Sequence, residues 1–262
     1  MTINKFVILG ERCSGTNFLE ESIKQNFHIN YTTEYGNKHF FCFNDYTKRN
    51  NDDTLFIGII RNPIYWLNSF SKELHHIPNV NKNIRHFLFN EFYSILDTQP
   101  IKNKNVFSFT TFKNNETVNP SDLNYTTGKK YKNIFELRKL KNFYLTNIIQ
   151  TKVTHFVLIN YENLLYNYED TLNNIKDTFS LLPRSSEFIK ITNYKKSTSY
   201  SYKQQRVISF SNELIKIIWG YLDKEQESHL GYSIEDCDNN YFKTRKALLL
   251  GKLDNIPEIV GR

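Results

Sequence analysis

The sequence predicts an α/β fold, a three-layer sandwich in which helices cover both faces of a central parallel sheet. Three apolar runs, each followed by a helical pattern, carry this prediction: Phe6–Leu9, Leu55–Ile60 and Val153–Asn160. Short apolar runs rich in β-branched residues are typical of parallel strands buried on both faces. Strands that alternate with helices form parallel sheets. A chain of 262 residues can bury a substantial core around such a sheet, and residues 1–262 are interpreted as a single domain.

A glycine-bracketed turn follows the first apolar run. Gly10 and Gly15 occupy the first and sixth positions of the phosphate-loop pattern G-x-x-x-x-G-K-[ST], and a helical pattern runs from Phe18 onward. In such loops, backbone N–H groups and a helix N-terminus bind an anion. Thr16 replaces the lysine of the pattern, and Asn17 replaces the hydroxyl residue that binds Mg²⁺. The turn therefore predicts a P-loop NTPase-like fold whose loop suits an anion other than Mg-ATP.

The second apolar run predicts a buried strand that delivers an arginine to the ligand edge of the sheet. Asn62 and Pro63 are typical of an N-cap and the first position of a helix. Arg61 therefore lies at the carboxyl end of the strand, where open α/β sheets bind ligands. Ser69 comes two helical turns after the cap and shares a face with the helix start.

These two segments resemble the P-loop sulfotransferases, which use 3'-phosphoadenosine 5'-phosphosulfate (PAPS) and release 3'-phosphoadenosine 5'-phosphate (PAP). The family's 5'-phosphosulfate loop has a [RK]-S-G-T core, and here the basic residue stands one place early. The resemblance implies that Arg61 and Ser69 bind the 3'-phosphate, a role suited to the planar fork of arginine. It also implies a 5'-phosphosulfate site formed by Arg12, Cys13, Ser14, Gly15, Thr16, Asn17 and Phe18.

Two later segments also resemble this family. Tyr161-Glu162-Asn163-Leu164 is similar to its Tyr-Glu-Asp-Leu turn, so Tyr161 either approaches the adenine or packs in the core, and a helix is predicted over Tyr168–Leu181. Farther on, Lys195 and Lys196 either cover the 3'-phosphate side of the nucleotide or lie in a solvated loop. A helix predicted to begin near Ser211 follows them.

Sulfuryl transfer to an alcohol requires that the hydroxyl lose its proton as the S–O bond forms. His39 is the candidate base, because imidazole titrates near neutral pH and the resemblance places the base after the first helix. Lys38 beside it would stabilise developing charge, so the predicted catalytic set is His39, Lys38 and Arg12. A histidine packed beside aromatic residues is the alternative, and Glu34 and Glu11 are the next candidate bases.

Composition limits the partners. The net charge of +7 suits an enzyme with an anionic cofactor, and the scattered lysines predict no nucleic-acid partner. The sequence lacks an apolar segment of about 18 residues and a signal-peptide pattern, which predicts a cytoplasmic protein without a membrane span.

Cys13, Cys42 and Cys237 are interpreted as free thiols, and no metal is expected. A cysteine phosphatase is excluded because Leu19 stands where its arginine belongs.

Residues 76–150 match no family motif and are predicted to determine specificity for a small-molecule or glycan acceptor that offers a hydroxyl or amine group. Helices are predicted over Ile84–Leu96 and Ile134–Ile149, the second with Arg138 and Lys141 on a basic side. Residues 113–132 are polar and long enough for a mobile loop or lid.

Two other functional classes remain open. A P-loop small-molecule kinase would need Mg²⁺ and a lysine from elsewhere to replace the one missing at Thr16. A non-catalytic nucleotide or nucleic-acid binding module would not turn PAPS over.

Overall fold

A parallel sheet organises the fold. The computed structural model describes residues 2–47, 50–74, 76–96, 111–112, 116–192 and 208–237. The strands are β1 (Lys5–Leu9), β2 (Asn30–Tyr31), β3 (Thr54–Ile60), β4 (Thr111–Phe112), β5 (Glu116–Thr117) and β6 (His155–Asn160). In these residues the main sheet has the order β2-β1-β3-β6 with every neighbouring pair parallel, and β4 and β5 form a separate antiparallel pair.

Helices cover both faces of this sheet. They are α1 (Thr16–Asn26), α2 (Pro63–Phe70), α3 (Ile84–Phe89), α4 (Ile134–Phe143), α5 (Tyr161–Tyr166), α6 (Tyr168–Phe179), α7 (Asn212–Tyr221) and α8 (Lys224–His229). Phe6 and Ile8 of β1 pack with α1, α5 and α6, while Val7 and Leu9 pack with α2, α4 and α7. This alternation follows from the two-residue period of a strand. The predicted α/β class and parallel sheet are confirmed, and the two apolar clusters make three layers.

The central strand and the helix after it have the predicted boundaries. β3 pairs with β1 on one side and β6 on the other, and all its residues are buried. Asn62 Oδ1 accepts hydrogen bonds from the backbone N–H groups of Ile64 and Tyr65 at 3.0 and 3.3 Å, and Pro63 takes the first helical position. The predicted helix start is therefore confirmed.

The region 76–150 differs from its predicted helices. α3 ends at Phe89, not Leu96, because Phe92 leaves the helical path and exchanges two backbone hydrogen bonds with Tyr131, at 2.9 and 3.0 Å. After α4, a turn of π-helix (Tyr144–Ile148) and a 3₁₀ turn (Ile149–Thr151) continue the chain to β6.

Two further expectations concern this region. Asp122 and Tyr131 are fully buried while residues 126–129 are exposed, and the mobile loop or lid expected over residues 113–132 stays a prediction; residues 113–115 lie outside the described ranges. The second expectation is corrected. Arg138 and Lys141 do not lie on an exposed basic side, since each is 5% exposed or less. Buried cations of this kind need carboxylate partners.

The parallel arrangement brings three connections to one edge of the sheet. The carboxyl ends of β1, β3 and β6 lead into Gly10, Arg61 and Tyr161 respectively. Within the described ranges, no helix is long and apolar enough to cross a membrane.

Candidate anion-binding site

The anion loop, defined as Gly10–Thr16, joins β1 to α1. The Gly10 N–H donates to the Lys38 carbonyl at 3.0 Å, and the Ser14 N–H and hydroxyl both donate to the Glu11 carbonyl, at 3.1 and 2.6 Å. Cys13 and Gly15 have positive φ angles of 63° and 100°. Left-handed residues in a tight turn direct successive N–H groups toward one concavity, the usual geometry of an anion-binding nest.

The start of α1 is suited to an anion. Its N-cap is Gly15, which has no side chain that could accept hydrogen bonds from the first N–H groups of the helix. Helix geometry leaves the first N–H groups without intrahelical acceptors, and the helix dipole favours negative charge there. A Cβ at Gly15 would lie 2.2 Å from Cδ2 of Tyr161, so both the backbone conformation and the available space require glycine.

Arg61 lies directly against this loop. Its Nη1 donates to the Cys13 carbonyl at 3.1 Å, and its guanidinium lies 4.6 Å from the centre of the Tyr161 ring. The residue is 8% exposed, and its Nε is buried without a hydrogen-bond partner in the described ranges. Arg61 therefore holds a charge at the loop with donor capacity that the protein does not use.

A water-sized cavity lies behind the loop. It measures about 10 Å³ and is lined by Ser14, Arg61, Lys141 and Asn142, among others. Asn142 Nδ2, like Arg61 Nε, is buried without a partner in the described part of the chain. A cavity of this volume has room for about one water molecule.

Tyr161 and Phe18 have packing roles. Tyr161 is 7% exposed and lies between Arg61 and the edge of the Phe18 ring, 6.0 Å away. Of the two interpretations of Tyr161, the geometry favours packing over adenine contact. The Phe18 side chain is in the apolar core, so only its backbone can contact a ligand at the loop.

Lys38 and His39 both lie beside the loop. Lys38 Nζ donates to Asn17 Oδ1 at 2.7 Å and to Glu20 at 3.1 Å. His39 Nδ1 bonds the Gly10 carbonyl at 2.8 Å, and because a carbonyl only accepts, Nδ1 carries the proton and Nε2 is left as an acceptor. Burial lowers the pKa of His39 to about 4, so the imidazole is neutral at neutral pH.

Arg12 has partners that the sequence did not indicate. Its guanidinium donates to Glu11 at 3.0 Å, to Ser94 at 2.7 Å and to Asp122 at 2.6 Å, and it lies over the Phe70 ring at 4.9 Å. The expectation that this side chain binds the phosphosulfate is therefore corrected. The guanidinium is committed to buried protein groups.

Lys141 completes this buried cluster. Its Nζ donates to Glu11, to Asp122 at 2.7 Å and to the His39 carbonyl at 2.9 Å. Burial by itself would raise the pKa of Glu11, but Lys141 and Arg12 outweigh it and lower that pKa to about 2. Glu11 is therefore a stable anion and a weak base. The sequence did not indicate this role of Lys141, because its partners come from distant segments that only the folded structure brings together.

Other candidate groups are less suited to catalysis. Glu34 pairs with Lys5 at 3.5 Å, at the amino end of β1 and away from the loop. Burial raises the pKa of the Cys13 thiol to about 12, which agrees with the exclusion of a cysteine phosphatase. Cys13 and Cys42 are free thiols. The described residues contain no cluster of side chains suited to a metal ion.

Ser69 is half-buried in the last turn of α2. It comes three residues after Trp66, whose indole N–H donates to the Arg12 carbonyl at 2.8 Å, so Ser69 lies toward the side of α2 that faces the loop. Next to it, Asn68 accepts hydrogen bonds from Ser209 at 3.0 and 2.7 Å. Lys195 and Lys196 lie outside the described ranges.

A buried glutamate connects the later segments to the site. Glu162 accepts from the Asn62 N–H at 3.0 Å and from the Tyr232 hydroxyl at 2.9 Å. Arg138, paired with Glu227, donates to the Arg61 carbonyl at 3.0 Å. These contacts hold both polar groups of the peptide bond that joins Arg61 to Asn62.

Comparisons of the chain with family models, curated proteins and solved structures found no match.

Proposed function

We propose that this protein is a PAPS-dependent sulfotransferase with a P-loop NTPase-like fold. The observation that carries the proposal is Arg61 against the anion loop, with a hydrogen bond to the Cys13 carbonyl and an unused buried donor. An arginine beside a helix N-terminus suits a ligand with more than one phosphate-type group. Thr16, at the lysine position, is buried, and the lysine-free loop suits a sulfuryl group, which carries less charge than a γ-phosphate.

The residues of the site then have separate roles. The N–H groups at the start of α1 hold the 5'-phosphosulfate, while Arg61 and Ser69 hold the 3'-phosphate. His39 Nε2 accepts the proton of the acceptor hydroxyl, and Lys38 stabilises charge near the transferred group. PAPS, when bound, supplies the sulfuryl group. Catalysis is mainly positioning and charge stabilisation.

The two nucleotides PAP and ADP distinguish this proposal from its alternatives. We expect PAP to raise the melting temperature without metal, and ADP, which lacks the 3'-phosphate, to raise it less. At a ligand concentration of one hundred times the dissociation constant, the stabilisation is about 2.7 kcal/mol. Differential scanning fluorimetry in EDTA and in Mg²⁺ makes the comparison. Equal or greater stabilisation by Mg-ADP would contradict the proposal.

One observation favours the kinase alternative. Lys38 Nζ lies at the first turn of α1, 2.7 Å from Asn17 Oδ1, so it could replace the lysine missing at Thr16. A kinase of this kind should bind ADP more tightly with Mg²⁺ than without it. The Mg²⁺ arm of the melting experiment therefore decides between the two enzymes.

Arg61 gives a residue-level test of 3'-phosphate recognition. We expect Arg61→Ala to weaken PAP binding by about 1.5 to 3 kcal/mol, because a charge-assisted hydrogen-bond donor is lost. ADP binding should change much less. Arg61→Lys is the matched variant, since it keeps the charge but loses the planar fork, and it should recover only part of the PAP affinity. Calorimetric titration measures both nucleotides, and an equal loss for PAP and ADP would remove the 3'-phosphate role.

A further inference from the structure

The anion loop is tied to the region predicted to determine acceptor specificity. Arg12 Nη1 donates to the Ser94 hydroxyl and Nη2 to Asp122, residues that lie 82 and 110 positions away in the chain. Ser94 also hydrogen-bonds to the same Asp122 oxygen. Ser94 and Asp122 are fully buried, so water cannot replace either contact.

Both ends of Arg12 are held in place. Its guanidinium lies 4.9 Å from the ring centre of Phe70 and 5.9 Å from that of Phe92, and its carbonyl accepts from Trp66. The next residue, Cys13, has a positive φ angle. A shift of Arg12 would therefore change the direction of the N–H groups that follow it in the loop.

Asp122 also connects to the candidate base. Its second carboxylate oxygen accepts from Lys141, and Lys141 donates to the His39 carbonyl and to Glu11. One buried carboxylate thus links two cations, one holding the loop and the other holding the segment that carries His39. In a water-excluded site such charge-assisted contacts fix geometry strongly.

We propose that Ser94 and Asp122 are positioning residues for the anion loop. They act through Arg12 and Lys141 to fix the backbone N–H groups that bind phosphate, without touching the nucleotide. The choice of PAP as ligand rests on the proposed function. The positioning role itself requires only that the loop bind an anion.

The experiment compares three variants by calorimetric titration with PAP. Asp122→Asn keeps the size but removes the charge, and we expect the dissociation constant to rise by about tenfold or more. Ser94→Ala removes one hydroxyl and should raise it by about two- to tenfold; this variant carries the test if Asp122→Asn does not fold. Asn26→Ala is the control, because Asn26 is also buried and hydrogen-bonded, to the backbone of Ile189, but lies at the carboxyl end of α1, away from the anion loop.

The control separates positioning from a general loss of stability. We expect Asn26→Ala to lower the melting temperature while changing PAP affinity less than twofold. Unchanged PAP affinity in both Ser94→Ala and Asp122→Asn would overturn the inference, as would an equal loss in Asn26→Ala. If the parent protein does not bind PAP, the proposed function fails, and the same variants are compared with pyrophosphate as the anion.

Discussion

Replacement of His39 by alanine is expected to lower turnover by about 10²- to 10⁴-fold while leaving PAP affinity nearly unchanged. The physical reason is the tautomer: Nδ1 donates to the Gly10 carbonyl, which leaves Nε2 unprotonated beside the loop. The assay follows release of PAP from PAPS, with water and with a panel of alcohols and saccharides as acceptors.

His155 provides the matched control for this variant. Its ring nitrogen also lies within hydrogen-bonding distance of a backbone carbonyl, that of Asp52 at 3.1 Å, but at the amino end of β6. We expect His155→Ala to retain turnover. His39→Ala could instead lower stability and PAP affinity while turnover per folded molecule stays normal. That result would show that His39 is a packing residue.

The pH dependence should also reflect the environment of His39. The sequence suggested a rate that falls through an ordinary imidazole pKa, but burial lowers the pKa of His39 to about 4. Turnover should therefore hold down to a pH near that value. The unfolded chain binds this proton first, so unfolding free energy should fall as pH drops from about 6.5 toward about 4. His39→Gln should remove this part of the pH dependence.

Substitution of Gly15 by alanine is expected to damage both stability and anion binding. The φ angle of 100° costs an L-residue about 1 to 2 kcal/mol, and the clash of the new Cβ with Tyr161 adds about 1 to 3 kcal/mol. Because Tyr161 also supports Arg61, relief of the clash would displace that guanidinium. Urea unfolding and PAP titration measure the two effects.

Gly128 is the matched control for Gly15. It also has a positive φ angle, 69°, but a Cβ there would meet nothing within 4 Å. We expect Gly128→Ala to show only the backbone strain and to leave PAP affinity unchanged. Equal losses in the two variants would mean that the contact between Gly15 and Tyr161 has no role in the loop.

Local patterns were sufficient for the elements around the site. The apolar run of β3, the Asn62-Pro63 helix start and the glycines of the anion loop depend on neighbouring residues, so the sequence alone identifies them. These elements place Arg61 at the carboxyl edge of the sheet. They also explain why the α/β class was predicted correctly.

Long-range contacts account for what the sequence could not reveal. The orientation of Arg12 depends on Ser94 and Asp122, which no local pattern connects to the loop. Lys141 was placed on the basic side of a helix, because its carboxylate partners Glu11 and Asp122 come from two other segments. The end of α3 at Phe89 likewise depends on a long-range contact, the backbone pairing of Phe92 with Tyr131. Each error arises where tertiary contacts override local preference.

A crystal structure of the protein grown with PAP in EDTA tests the central claim most directly. We expect the 5'-phosphate to accept hydrogen bonds from the N–H groups at Gly15 and Thr16, and the 3'-phosphate to contact Arg61 near Ser69. Arg12 should stay on Asp122 in that complex. An empty anion loop, or a nucleotide bound elsewhere on the molecule, would contradict the proposal that this protein is a PAPS-dependent sulfotransferase.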